Sequence, residues 1–483
     1  MNTLPDPDDI RRFRRYLDDN AFSRSSIEAR LGSAAPPGAG SIEASLDATR
    51  EATAANALLR LFLLGTSIDA AMLEETLDPG FVELCLDAGL FERNDGRTAA
   101  TISIVPVDDL LFASDAFRKL GTPAAREFVL PASTHAAQVL RRITFRDRVG
   151  STLDIGTGCG LHALLASRHS NRVIATDISE AALRYTEFNS CLNDIDNVEC
   201  RAGNLFDPVA GESFDLIVSN PPFVIGPGEE YVYRDSPLEL DGFCAALASA
   251  APAHLEEGGH LQMLGEWAGI EGEDWQGRIA GWLEASGCDA WILTTGSVPA
   301  GEYVRMRLSD IKGPDDAAAS EDWFAYLADR NVDRIHAGII TLRKRTGANW
   351  QQMLAVSGDI GETASFALRR SIDAQDFLQL CDDDASLLDA VLRVSPKVAT
   401  EPTAVNDAGQ PTSVMLRRGD GLPVVAELDL AVMVFLQQID GQRTLSEAIA
   451  RFSELTKTDI KNVQGELVAA ARLFVTQGFV EPV

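Results

Sequence analysis

Thr152-Leu153-Asp154-Ile155-Gly156-Thr157-Gly158-Cys159-Gly160 runs an apolar segment straight into three glycines spaced two apart. The segment Thr152–Ile155 reads as a buried β-strand, and His162–Arg168 beyond the glycines reads as a helix. Glycines at such a strand-to-helix turn let the backbone bend sharply and approach a ligand with no Cβ in the way. By itself this loop suits a dinucleotide, a nucleotide or S-adenosylmethionine.

The rhythm continues outward from the loop. Arg172–Thr176 reads as a strand and Ser179–Cys191 as a helix, with Ser179 as its N-cap and Glu180 in its first turn. Short strands follow at Val198–Arg201 and at Phe214–Ser219, the latter with almost no polar face. Then come a helix over Phe243–Leu255 and a strand over Gly259–Leu264. Arg305–Leu308 and Ala337–Leu342 are expected to be the last two strands, with a helix through Trp323–Leu327 between them. Alternating strands and helices predict an α/β fold, an open, mostly parallel sheet covered by helices on both faces.

Two further elements carry chemistry. Asp177 ends the strand after the glycine loop, about twenty residues on, where a carboxylate accepts hydrogen bonds from the two ribose hydroxyls of an adenosine. Asp154, placed before the first glycine, would repel a pyrophosphate and suits a cofactor carrying an amino group and a sulfonium cation. S-adenosylmethionine is therefore favoured over NAD. Asn220-Pro221-Pro222-Phe223 directly follows Phe214–Ser219, at the carboxyl edge of the sheet. The Asn220 side-chain oxygen and the Pro221 carbonyl can both accept from an NH₂ group and so aim its lone pair at a methyl donor. The prolines stiffen the turn, and Phe223 offers a flat face for an amide or a nucleobase. Asp235 and Asp241 are candidates to assist proton removal, with loop capping as the plainer role for each.

The order DIGTGCG (154–160), ATD (175–177), GNLFDP (203–208) and SNPPF (219–223) resembles the class I methyltransferases of the small-domain type. That group includes the release-factor glutamine methyltransferases and the guanine-amino methyltransferases of ribosomal RNA. The resemblance covers about residues 121–265, and the layout with extra domains at both ends is similar to a group of actinobacterial multi-domain methyltransferases. It implies a Rossmann-like, seven-stranded sheet with S-adenosyl-L-methionine as donor. It implies that Gly156, Thr157, Gly158, Cys159 and Gly160 border the methionine end of the cofactor, with Asp154 beside them. Asp177 and Ile178 would lie at the ribose and Asn204-Leu205 at the adenine, where Asn204 stands in a position that is often Asp. Asn220, Pro221, Pro222 and Phe223 would bind the acceptor nitrogen, with Asn220 also bordering the cofactor. Leu130-Pro131-Ala132-Ser133-Thr134 sits where the glutamine methyltransferases have a proline-rich substrate loop, and after NPPF only Asp241-Gly242 matches their pattern well.

At 483 residues the chain is too long for one ordinary core. The sequence divides at about 120 and 346, giving domains 1–120, 121–346 and 347–483. In the first, Ile10–Leu17 and Ala44–Phe62 read as helices. Two short helices separated by Pro79-Gly80, a turn at Asn94-Asp95-Gly96 and an extended Thr98–Val105 follow, the order of a winged helix. In the last, an acidic patch (382–384) and a turn at 406–409 precede helices at Leu428–Gln437, Leu445–Phe452 and Val463–Gln477, a second helical or winged-helix-like module.

Hydrophobic residues at 46% and charged residues at 24% fit a globular protein. Neither an apolar stretch of membrane-spanning length nor a basic-then-apolar leader is present, so a cytoplasmic location without membrane contact is expected. Seven scattered cysteines without a Cys-x-x-Cys pair predict neither disulfides nor structural zinc. His162 and His169 lack a third ligand type, so no metal is expected. A formal charge of -30 disfavours nucleic acid as partner and favours a protein or peptide acceptor, such as a glutamine amide. The basic run Arg11–Arg15 reads as a solvated helix face. An exocyclic amine of a base, a small biosynthetic intermediate and a non-catalytic scaffold are the alternatives.

Overall fold

A computed structural model describes residues 3–38, 41–119, 126–228, 231–236, 238–284, 286–309, 317–381, 383–405 and 411–483. The expected boundary at 120–121 and the turn at 406–409 lie outside the described residues, as do Pro237 and Asp382. The chain divides into two compact units, one of residues 1–141, 146–290 and 297–351, the other of 142–145, 291–296 and 352–483.

The main sheet of the chain is mostly parallel, and all its strands but the sixth and the eighth lie wholly in the first unit. Its strands are β1 (Val149–Ile155), β2 (Ser170–Asp177), β3 (Val198–Ala202), β4 (Phe214–Ser219), β5 (Leu255–Ile270), β6 (Cys288–Pro299), β7 (Val332–Lys344) and β8 (Gln351–Ala355). The strand order is 8-6-7-5-4-1-2-3. The order reverses between β1 and β4, which makes their carboxyl ends the ligand crevice of a doubly wound sheet. β7 runs antiparallel to β5. The first seven strands follow the order of the class I methyltransferase fold. β8 adds one strand beyond the seven expected.

Hydrophobic burial explains the central strands. Leu216, Ile217 and Val218 of β4, and Leu153 and Ile155 of β1, are all buried, so both faces of these strands are covered. Register then fixes the site. Ile155 pairs with Ser219 across β1 and β4, and with Thr176 across β1 and β2. The glycine loop, Asp177 and the Asn-Pro-Pro turn therefore leave the sheet side by side. Helix α1 (His135–Ile143) precedes the sheet, and α2 (Leu161–Ala166), α3 (Glu180–Leu192) and α4 (Gly242–Ala250) connect its strands. Ser179 caps α3, its hydroxyl accepting from the Ala182 N–H at 3.4 Å.

Several boundaries differ from expectation. Arg305–Leu308, expected as a strand, lies in the helix Ala300–Ser309. Tyr303, Val304 and Leu308 are its buried residues, one face of a helix rather than an alternation. The strand of that region is β6, whose run Ala290-Trp291-Ile292-Leu293 is wholly buried. The helix expected over Ala44–Phe62 is split into Ile42–Ala48, Ala54–Leu58 and a π-helical turn Leu59–Leu63. Thr53 caps the second piece, accepting from the Asn56 N–H at 3.3 Å. α4 stops at Ala250, and a short 3₁₀ turn, Ala251–His254, with Pro252 near its start, replaces the continued helix expected to Leu255.

Ahead of the sheet, helices Ala70–Thr76 and Pro79–Asp87 are followed by strands Phe91–Asn94 and Arg97–Ala100, with Ile68–Asp69 pairing to the latter. The expected extended run at 98–105 is divided, since Ile102–Val107 pairs instead with Leu110–Asp115 as a separate hairpin. The basic run at Arg11–Arg15 lies in the helix Pro7–Asp19. There Arg11 pairs with Asp8, Arg12 with Asp9 and Arg14 with Asp18.

In the second unit, helices at Leu430–Leu436, Leu445–Thr456 and Ile460–Thr476 correspond to the three expected. Thr444 and Glu447 form a capping box on the middle one. The long helix Ala364–Leu380 and two three-stranded sheets in the same unit were not anticipated. No helix among the described residues is long and apolar enough to cross a membrane.

Candidate functional site

The carboxyl edge of the sheet opens into a cavity of about 550 Å³. Of the residues expected at the cofactor or the acceptor nitrogen, Gly156, Thr157, Gly158, Cys159, Asp177, Ile178, Asn204, Leu205, Asn220, Pro221 and Pro222 line it, and Asp154, Gly160 and Phe223 do not.

The loop is built from the sheet upward. The Gly156 and Thr157 N–H groups both donate to the Thr176 carbonyl, at 2.9 and 3.0 Å, which pins the loop to β2. Gly156 and Gly158 have positive φ with nothing within 4 Å of where a Cβ would stand. The backbone is thus bare on that side, a cradle for a ligand pressed against the main chain. Gly160 differs: its φ is +81°, and a Cβ there would lie 3.0 Å from Leu164 Cδ1 and from both branches of Thr186. It lets the start of α2 press on α3. Gly160→Ala is expected to destabilise the chain by about 1–3 kcal/mol, the cost of a non-glycine residue held in that region. Urea unfolding of the two proteins measures it, and an unchanged midpoint would show that the loop rearranges freely.

Asp154 stands beneath the loop. Its Oδ2 accepts from the Thr157 hydroxyl at 2.7 Å and the Ala163 N–H at 3.0 Å, and the residue is buried. Oδ1 is buried with no hydrogen-bond partner among the described residues. Burial pushes its carboxyl up to about 7; the bonds from Thr157 and Ala163 oppose this, and the neighbouring Asp177 adds to it. A carboxyl raised in the folded state holds a proton that the unfolded chain has already released. Stability from this group is therefore present below about pH 4 and lost as pH rises to about 7. Asp154→Asn should flatten the dependence of melting temperature on pH over that window. An identical slope in both proteins would remove Asp154 as its source.

Asp177 completes the strand edge. Its Oδ2 accepts from the Gly158 N–H at 3.1 Å and its Oδ1 from the Ser179 N–H at 2.9 Å. Burial raises its carboxyl pKa, against those two bonds. Asn204 and Leu205 line the same cavity, Leu205 with φ +46°. The residues present fit an adenosine-bearing cofactor: a bare glycine cradle, and an acidic group at the β2 end with Asn204 and Leu205 in the same lining.

The cavity lining is more aromatic than the sequence suggested. Phe128, Tyr231, Tyr233 and Phe243 line the cavity, with Tyr233 5.9 Å from Phe128 and 5.7 Å from Tyr231 between ring centres. Phe223 packs instead against the cluster of Val224, Ile225, Tyr303 and Trp323. The spaced pair Tyr231-x-Tyr233 was the available signal, but aromatic spacing alone does not separate a cavity wall from core. Leu130, Pro131, Ala132 and Thr134 line the cavity as well.

Asp235 lines the cavity, accepting from the Tyr231 N–H at 3.0 Å and from Arg234 Nε at 2.7 Å. Asp241 is held by Arg278 and by the Ala268 N–H at 2.9 Å, and does not line it. His162 also borders the cavity; burial, then Arg141, pushes its imidazole down to about 3, so it is neutral near pH 7. All seven cysteines are free, and among the described residues no group of three or more His, Cys, Asp or Glu is placed to hold a metal.

Residues 134–267 match the family model of the methyltransferase small domain, and residues 19–101 match a domain of unknown function (DUF7059). A release factor glutamine methyltransferase of Xylella fastidiosa is 38% identical over 126 residues, which cover 24% of this chain and 46% of that protein. One from Aquifex aeolicus is 34% identical over 131 residues with the same coverage. A ribosomal protein L11 methyltransferase of Lactobacillus helveticus is 35% identical over 116 residues, 24% of this chain and 31% of that protein. The chain thus spans under half the length of these relatives. Sequence match and strand order agree: residues 134–267 are a methyltransferase small domain, set in a class I methyltransferase fold.

Proposed function

We propose that this protein is an S-adenosylmethionine-dependent N-methyltransferase acting on a planar nitrogen, with a protein side-chain amide such as glutamine as its acceptor. The observation that carries the reading is the convergence of the glycine cradle, Asp177 and Asn220-Pro221-Pro222 on one cavity, set by the pairing of Ile155 with Ser219. The cofactor supplies an activated methyl group on a sulfonium. The chain supplies position. Asn220 Oδ1 and the Pro221 carbonyl accept the two N–H groups of the acceptor and turn its lone pair toward the methyl. Holding both partners in a near-attack geometry is the main catalytic term for such a displacement. An amide lone pair is delocalised, and acceptance of its protons helps localise it as the bond to the methyl carbon forms and the sulfur–methyl bond breaks; the methylated nitrogen then loses one proton to solvent. In this reading Tyr231 and Tyr233, rather than Phe223, give the acceptor its flat contact.

The relatives are named for protein acceptors, a release factor and ribosomal protein L11, and the charge of -30 works against a phosphate backbone. The aromatic wall favours a second reading, an exocyclic amine on a nucleobase that stacks there. Radiolabelled S-adenosylmethionine incubated with the protein and cell extract separates them. Label released by protease supports the amide, and label released by nuclease supports the base. Label resistant to both indicates a small molecule, and the absence of label contradicts the enzymatic reading.

A further inference from the structure

Helix α3 and its C-cap residue present three side chains, Tyr185, Asn189 and Asn193, at intervals of four residues. They meet the strand Leu110–Asp115 at every second residue. Asn193 accepts from the Leu111 N–H at 2.9 Å and donates to the Leu111 carbonyl at 2.8 Å. Asn189 does the same at Ala113, at 2.8 and 2.9 Å. The Tyr185 hydroxyl donates to Asp115 Oδ1 at 2.9 Å. Four helical residues rise about 6 Å and two strand residues about 6.7 Å, so the two repeats stay in step over this length. Side-chain amides here stand in for a neighbouring strand and close the open edge of the hairpin.

The ladder also reaches the cavity lining at two places, its middle rung and its Asp115 end. Asn189, fully buried, donates from the same Nδ2 to the Cys159 carbonyl at 2.8 Å, in the glycine loop. Thr186 Oγ1 donates to the Gly158 carbonyl at 3.2 Å. Asp115 Oδ2 accepts from the Val129 N–H at 3.0 Å, and Phe128 and Val129 line the cavity. One hydrogen-bonded rail therefore ties the hairpin to the glycine loop and to the segment Phe128-Val129 of the cavity lining.

We infer that Asn189 is a positioning residue for the cofactor loop, and that the hairpin Ile102–Asp115 is a working part of the site. The inference rests on the proposed reading of the cavity as a cofactor site. Asn193 serves as the internal control, because it binds the hairpin in the same way and makes no contact with the loop. S-adenosylhomocysteine binding is measured by calorimetry for wild type, Asn189→Ala and Asn193→Ala, with urea unfolding of each. Both variants should lose stability. Only Asn189→Ala should also lose affinity, by about fivefold to tenfold, the worth of one buried hydrogen bond. Asn189→Asp should lose affinity too, since it keeps an acceptor for Ala113 and has no donor for Cys159. Equal affinity in all folded variants overturns the inference, as does an equal loss in Asn193→Ala. Failure of the wild type to bind S-adenosylhomocysteine would instead overturn the cofactor reading on which it rests.

Discussion

Asn220→Ala should lower methyl transfer by about 100-fold or more, the scale on which enzymes lose rate when a group that orients or polarises the reacting centre is removed. Its affinity for S-adenosylmethionine should stay within about threefold of wild type, a difference well under 1 kcal/mol. Asn220 lines the cavity at the end of β4, and no described residue hydrogen-bonds its side-chain amide. The amide is thus available to an acceptor, and its loss leaves the glycine cradle and Asp177 untouched. Asn220→Asp, which keeps an acceptor oxygen, should retain more activity than Asn220→Ala. The check is single-turnover transfer alongside equilibrium binding. Full activity in Asn220→Ala would show that the acceptor sits elsewhere.

Asp177→Ala should act on the other half of the site and weaken S-adenosylmethionine binding by about 100-fold. Each Asp177 oxygen accepts one backbone N–H, from Gly158 and Ser179, and keeps a lone pair for a ribose hydroxyl. Two charge-assisted hydrogen bonds at about 1.5 kcal/mol each give roughly 3 kcal/mol, which is that factor in affinity. The same carboxylate holds the turn of the glycine loop, so part of the loss comes through loop disorder. Asp177→Asn, able to accept but not charged, should fall between. Calorimetric titration decides it, and unaltered affinity in Asp177→Ala would place the ribose elsewhere.

The sheet was legible because its central strands are covered on both faces. Phe214–Ser219 reads as a strand from its apolar run, and the structure gives the same limits. The cavity edge followed, since a turn that directly succeeds a buried strand can only emerge at its carboxyl end. Legibility failed where local pattern and tertiary packing part. Arg305–Leu308 carries β-compatible residues yet closes a helix, because its apolar side chains share one helical face. Asp154 has the chemistry of a ligand-facing acid, but its place one residue before the turn puts it under the loop, bonded to Thr157 and Ala163. Phe223 has the chemistry of a stacking platform and is drawn into a hydrophobic cluster instead. Nor did the amides of Asn189 and Asn193 stand out, since their partners lie 76 and 82 residues away.

The most direct test of the account is equilibrium binding of S-adenosylmethionine to the purified full chain, with S-adenosylhomocysteine and NAD as competitors. The account predicts saturable binding of one cofactor per chain, displaced by S-adenosylhomocysteine, indifferent to NAD and weakened by Asp177→Ala. Absence of saturable binding, or displacement by NAD at comparable concentration, would contradict it.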